Sequence, residues 1–247
     1  MKNKSIIITG GASGMGAASA RKFAESGANV TIVDINKELA GQVSNEINIS
    51  EPIIGDIRDS AFCNQVIEVT IERYGKVDVL INCAGTILRA DAENTTDEDW
   101  HRVMSTNVDG LFFMSRAAIK PMVKNGNGVI INFGSIWGSV GSARVVAYCA
   151  SKGAVHQITR AMALDHAKDG IRINSVCPGE VNTPMLSTGR KSPPTQEDLK
   201  KLADETIPVA RLAEPEEIAN VVFFLASEDA SYMTGSMVTI DGGFTAR

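Results

Sequence analysis

The feature that most limits what this chain can become is a glycine-studded turn placed straight after its first apolar run. Ser5–Thr9 carries three consecutive isoleucines and leads into Gly10-Gly11-Ala12-Ser13-Gly14-Met15-Gly16, after which Met15–Ser26 has apolar residues at helical spacing. In a strand–turn–helix unit of this kind, glycines let the backbone approach a diphosphate and the helix N-terminus offers it N–H donors. The spacing is G-x-x-x-G-x-G, not the more widespread G-x-G-x-x-G. It assigns Gly10, Ser13, Gly14, Met15 and Gly16 to a phosphate cradle.

The rest of the chain repeats the same rhythm. Short β-branched runs, Asn29–Asp34, Ile53–Ile54, Val77–Ile81, Gly128–Phe133, Ile171–Cys177 and Met237–Ile240, alternate with helical stretches. The helices are expected over Lys37–Ile47, Ser60–Tyr74, Asp97–Lys124 (one helix or two), Tyr148–Lys168 and Pro215–Ala226. Strands this continuously apolar fit burial on both faces, so the expected fold is α/β, a doubly wound parallel sheet of about seven strands with helices on both sides. With 247 residues there is no room for a nucleotide-binding domain and a second catalytic domain of similar size, and one domain, 1–247, is expected to hold both cofactor and chemistry. Pro184–Glu214 breaks the rhythm with four internal Gly and Pro residues around an amphipathic stretch, Glu197–Glu205. An insertion of this length reads as a substrate lid over 184–214.

Charge and composition narrow the partners. The net charge is −5 with no like-charge block, which argues against a nucleic-acid partner. No apolar run approaches the roughly 18 residues of a membrane span, nor is Ile6–Ile8 long enough for a signal-peptide core, so a cytoplasmic protein is expected. Cys63, Cys83, Cys149 and Cys177 are widely spaced and read as reduced, buried thiols, and no metal site is expected. His101, His156 and His166 lie outside the motifs and read as structural or surface residues.

Two further features carry chemistry. Asp34 ends the second strand, 18 residues past Gly16, near the offset at which a carboxylate meets an adenosine ribose. It would repel a 2′-phosphate, and neither Ser13 nor Ile35 is the Arg or Lys that would neutralise one, so NAD is favoured over NADP. The competing assignment makes Asp34 the cap of the next helix. Later, Tyr148-Cys149-Ala150-Ser151-Lys152 places a phenol and an ammonium four residues apart on one helix face. Bringing a phenol from about 10 to about 7 requires ~4 kcal/mol of preferential phenolate stabilisation, which a nearby ammonium and a positive nicotinamide can supply. Ser135 stands at the end of the strand before, with its hydroxyl available to a substrate oxygen.

In these motifs, and over essentially its whole length, the chain resembles the short-chain dehydrogenase/reductase family. The matching pieces are TGGASGMG at Thr9–Gly16, Asp56 after the third strand, NCAG at Asn82–Gly85, Asn107 in NVDG, Ser135 in FGS, YCASK at Tyr148–Lys152 and PGEVNT at Pro178–Thr183. Cys83 and Gly134 depart from residues frequent there, Asn and Ser. The resemblance implies a Rossmann-type domain with Tyr148 as general acid/base, Ser135 polarising the carbonyl, Lys152 holding the nicotinamide ribose and Asn107 anchoring a water chain to solvent. It also implies Asp56 and Ile57 beside the adenine, Asn82, Ala84 and Gly85 behind the adenosine, Val181 and Thr183 at the nicotinamide carboxamide, and Pro178, Gly179 and Ile35 among the cofactor-binding residues.

The same resemblance implies a homotetramer. Apolar residues around more than one face of the Tyr148 helix, Ala154, Val155, Ile158, Ala161, Met162 and Leu164, agree with burial on both sides. The expected partner is a small alcohol or ketone, such as a polyol, sugar derivative or cyclic diol, met by Ser135, Trp137, Tyr148, Glu180 and Met185, with Ser139, Val145 and Leu186 nearby and Arg190 and Lys191 available to an anion. A 3-oxoacyl-[acyl-carrier-protein] reductase is the rival function. It is disfavoured by Asn125-Gly126-Asn127 and Asp169, which stand where such enzymes carry basic residues. A non-catalytic NAD-sensing protein is the rival of another class, disfavoured by the intact Ser–Tyr–Lys–Asn set.

Overall fold

The computed structural model describes residues 1–190 and 192–246. Seven parallel strands form one sheet: β1 (Ser5–Thr9), β2 (Asn29–Asp34), β3 (Ile53–Ile54), β4 (Val79–Asn82), β5 (Gly128–Phe133), β6 (Ile171–Pro178) and β7 (Met237–Ile240). Their order is β3-β2-β1-β4-β5-β6-β7, and the direction of winding reverses between β1 and β4. In sheets of this kind the crevice beyond the carboxyl ends of the strands at the reversal is where ligands settle.

Alternate side chains of each strand serve different layers, as the pleat demands. Ile6 and Ile8 pack with Phe23, Val30, Val222 and Leu225 on one face, where helices α1 (Gly14–Glu25) and α2 (Lys37–Glu46) lie. Ile7 turns to the other face, against Val66, Leu80, Met114 and Met122. That second layer is covered by α3 (Ser60–Tyr74), α5 (Gly110–Asn125) and α6 (Val146–His166), with α4 (Asp97–Met104) preceding α5. Between α4 and α5 the chain makes a π-helical turn, Ser105–Asp109, so the long segment expected as one helix or two is two helices joined by a wider turn.

Other differences from expectation are small. The fourth strand starts at Val79 instead of Val77, and α6 opens at Val146, two residues before Tyr148. The insertion after β6 holds a 3-10 turn, Pro184–Ser187, and α7 (Gln196–Thr206), which a capping box between Thr195 and Asp198 starts. It is followed by α8 (Pro215–Ala226), which completes the first layer.

A buried polar chain ties the second layer to the sheet. Asn82 Nδ2 donates to Ser115 Oγ and to Asn132 Oδ1, each at 2.9 Å, and Asn132 Nδ2 donates to Thr159 Oγ1 at 2.9 Å. All four side chains are at most 2% exposed. Replacing Thr159 by Val keeps the shape but strands one Asn132 N–H, and is expected to lower unfolding free energy by about 1–3 kcal/mol; urea denaturation of the variant checks it.

Candidate active site

A cleft of about 440 Å³ runs over the carboxyl ends of β1, β2 and β4. Its floor is the glycine turn. Gly10 (φ 67°) and Gly14 (φ 51°) adopt left-handed backbone, and a β-carbon on Gly10 would fall 2.7 Å from Ala84 Cα, because the turns after β1 and β4 touch. Gly16 is closer still: its β-carbon would lie 2.1 Å from the Gly10 carbonyl oxygen. Ser13 precedes α1 in extended conformation and its side chain caps none of the helix N–H groups. A glycine-walled concavity at an uncapped helix N-terminus fits the diphosphate of a dinucleotide.

Asp34 sits at the cleft and braces it, its carboxylate accepting from Ala12 N (3.1 Å) and Asn36 N (2.9 Å). The helix-cap alternative is therefore excluded, since Asn36 caps α2 through Leu39 N. Ile35 beside it is 74% exposed. Asp56 and Ile57 line the same end of the cleft, as does Arg58, which the sequence reading missed. The Arg58 guanidinium is paired with Asp56, which holds that carboxyl below its ordinary range. Ala84, Gly85, Thr183 and Met185 also line the cleft. Gly16, Asn82, Pro178, Gly179 and Val181 lie behind it: Asn82 is committed to the sheet, Gly179 N donates to the Ile240 carbonyl, and Val181 is buried in a bridge to Ala213.

The four residues expected to act chemically converge where β4, β5, the π turn and α6 meet. Lys152, 5% exposed, donates from Nζ to the Phe133 carbonyl oxygen at 2.6 Å and lies 5.5 Å from the centre of the Tyr148 ring. Asn107 is buried on the π turn. Its Oδ1 accepts from Thr86 N (2.7 Å), and its Nδ2 donates to Thr86 O and Ser151 Oγ. Those bonds occupy the Asn107 amide, so the side chain clamps the strand β4 loop to α6. Ser135, also buried, stands beside Tyr148 and accepts from Trp137 N at 3.2 Å.

Burial dominates the electrostatics. Removal of water pushes the Tyr148 phenol up to about 12, with hydrogen bonding to Ser135 pulling the other way and Glu180 adding to the rise. The same cause pushes Lys152 down to about 8. In the chain by itself, desolvation of both groups outweighs the pull of the neighbouring ammonium on the phenol, and Nζ is bonded to a backbone carbonyl.

Beyond Tyr148 the wall is apolar, formed by Ile87 and Val145 with Trp137, Cys149 and Met185 packed on them. Phe244 from the C-terminal segment meets the Trp137 ring edge-on at 5.2 Å. At the mouth, burial raises the Glu180 carboxyl while Arg89 and Arg190 pull it down. Arg89 Nε reaches across to the Thr188 carbonyl oxygen. Leu186 is buried, Ser139 is exposed and bonded to His156, and Lys191 lies outside the described residues. Arg58, Arg89 and Phe244 had no signal in the sequence, since each reaches the site from a loop with no motif. Cys63 and Cys177 are buried free thiols as expected, but Cys83 and Cys149 are only half-buried. Among the described residues no three His, Cys, Asp or Glu side chains converge on a metal-sized site, and no helix is long and apolar enough to cross a membrane.

Fold and site together define an oxidoreductase built around a nicotinamide dinucleotide, and the chain belongs to the short-chain dehydrogenase/reductase family. The family model described as enoyl-(acyl carrier protein) reductase matches residues 10–245. The chain is 39% identical to meso-2,3-butanediol dehydrogenase of Serratia marcescens, over 99% of this chain and 95% of that one. It is also 39% identical to 2,5-dichloro-2,5-cyclohexadiene-1,4-diol dehydrogenase of Sphingobium indicum, over 99% and 97%. The crystal structure of levodione reductase superposes with a TM-score of 0.93 at 31% identity, covering 100% of this chain and 99% of that one.

Lys152 has a consequence for stability. Its proton affinity is lower folded (about 8) than at its ordinary 10.5, so between those values the unfolded chain binds more protons and this group makes stability rise with pH. Lys152→Met removes that contribution. The unfolding free energy of the parent minus that of the variant is expected to grow between about pH 8 and about pH 10.5, read from denaturant melts at each pH.

Proposed function

We propose that the protein interconverts a secondary alcohol and its ketone with NAD(H), on a small polar or cyclic substrate such as a polyol, sugar derivative or cyclic diol. The observation that carries this reading is the placement of Tyr148 and Ser135 side by side, over buried Lys152, between the dinucleotide cleft and an apolar wall. Diol dehydrogenases among its relatives support the substrate class.

The bound nicotinamide supplies the hydride acceptor or donor. The chain supplies the rest. Ser135 Oγ holds the substrate oxygen, and Tyr148 Oη takes the alcohol proton during oxidation or returns it during reduction. Lys152 fixes the phenol's position and holds a ribose hydroxyl, while Asn107, clamped to Thr86 and Ser151, keeps the wall of the proton path in place. Gly10, Ser13, Gly14 and Met15 cradle the diphosphate, and Gly16 lets the turn close behind them. Asp56 and Ile57 flank the adenine. Trp137, Glu180 and Met185 bound the substrate, and residues 184–214 act as its lid within a single domain.

NAD is preferred in this reading because the Asp34 carboxylate stands at the ribose end, and Arg58, a cation lining the same cleft, is committed to Asp56. The carrier-protein reading is the weaker one: Gly126 caps α5 in left-handed conformation and Asp169 pairs with His166, so neither place offers the cationic surface an acidic carrier needs. We read the protein as a cytoplasmic homotetramer, with Phe112, Val123 and Leu164, the last 82% exposed, covered by neighbouring copies.

Steady-state kinetics on a secondary-alcohol panel tests the cofactor assignment: kcat/KM with NAD is expected to exceed that with NADP by at least about tenfold, ~1.4 kcal/mol, and equal use of NADP overturns it. A Tyr148→Phe chain that folds and binds NADH is expected to lose about 10²–10⁴ in kcat; retained turnover removes Tyr148 from the chemistry.

A further inference from the structure

Helix α6 turns four residues of one face toward β5, the turn after it and β6: Tyr148, Lys152, His156 and Thr159. Tyr148 adjoins Ser135, Lys152 bonds the Phe133 carbonyl and Thr159 bonds Asn132. His156 has no part in the function proposed above, yet it is 2% exposed and ringed by polar groups. Its Nε2 lies 3.3 Å from Cys177 Sγ on β6, and its Nδ1 3.4 Å from Ser139 Oγ. The Ser135 carbonyl accepts from Gly138 N at 3.0 Å, closing the turn against which the ring lies.

The ring also fills the space that side chains on the Ser135 turn would need. A β-carbon on Gly134 would fall 2.6 Å from Nε2, and one on Gly138 2.6 Å from Cε1. The glycines on either side of Ser135 therefore wrap the imidazole, and the Gly134 N–H is held from the far side by Ser175 Oγ and the Val176 carbonyl. Burial pushes His156 down to about 4, so the ring stays neutral near pH 7, with one nitrogen donating and the other accepting.

We propose that His156 is a positioning residue for Ser135: a neutral imidazole wedged between Gly134 and Gly138 sets the turn that aims Ser135 Oγ beside the Tyr148 hydroxyl. The proposal rests on the reading of Ser135 as the group that holds the substrate oxygen. A displacement near 1 Å in such a group lowers the rate of the chemical step by about 10²-fold while leaving the remote contacts of the cofactor intact.

The test uses the full-length protein. His156→Leu is expected to bind NADH with unchanged affinity by fluorescence titration and to keep the alcohol KM within about threefold, while kcat falls by about 10–100-fold. His156→Gln, which restores a donor and an acceptor, is expected to recover part of that loss. A folded Leu variant with parental kcat overturns the proposal. Gly134→Ala supplies an independent arm, made in a Ser175→Ala background because its methyl needs volume held both by the ring (2.6 Å) and by Ser175 Oγ (2.7 Å). It is expected to lower kcat in that background and to cost much less when His156→Ala is present as well. Strictly additive losses overturn the proposal, and this arm decides if His156→Leu does not fold. Ser135→Ala runs in parallel: parental activity there overturns the catalytic reading itself, whereas a dead Ser135→Ala beside a fully active His156→Leu overturns only the positioning role.

Discussion

The contact on which the reacting end of this molecule depends is the bond from Lys152 Nζ to the Phe133 carbonyl oxygen. It joins the last residue of β5 to the second turn of α6, just before the Ser135 turn. An ammonium drawn this far from water is expensive to hold, which is why its pKa falls to about 8. In exchange, the helix cannot slide along the strand without breaking a buried, charge-assisted hydrogen bond. Tyr148, one turn earlier, is thereby held against Ser135, and Thr159, two turns later, against Asn132.

That arrangement desolvates acid and base together. Tyr148 is raised to about 12 and Lys152 lowered to about 8, so burial favours the neutral form of each. A helix-face argument finds the two neighbours and predicts their attraction, but it omits the water each has lost. In the proposed reaction the chain supplies a rigid geometry for the phenol, and tuning it toward neutrality falls to charge brought in with the dinucleotide.

Much of the fold was legible because strand and helix periods differ. Ile6-Ile7-Ile8 reads as a strand buried on both faces, and the structure divides those residues between two layers. Ser60–Tyr74 and Pro215–Ala226 were readable to the residue, since Asp59 and the Glu214–Glu217 capping box mark their starts. The π turn at Ser105–Asp109 was not, because one extra residue per turn leaves no mark on the apolar pattern of so short a segment. Of the cleft, the glycine turn and Asp34 were readable, whereas Arg58 was not: its neighbour Asp56, which occupies it, lies two positions away in a loop.

What the sequence determined by itself is therefore the sheet, the glycine turn, the acid at the end of β2 and the grouping of Tyr148 and Lys152 on one helix face. Each is set by local chemistry: side-chain period, glycine's left-handed backbone, and the spacing of Tyr148 and Lys152 along one helix. Only the tertiary structure decided how those groups are held and what they cost. It brought Gly10 against Ala84, laid Lys152 into Phe133, wedged His156 between Gly134 and Gly138, and placed Arg89 and Phe244 at the substrate wall. Those are contacts between segments far apart in the chain, made when distant elements exclude the water between them, and no periodicity or local spacing encodes which elements will meet.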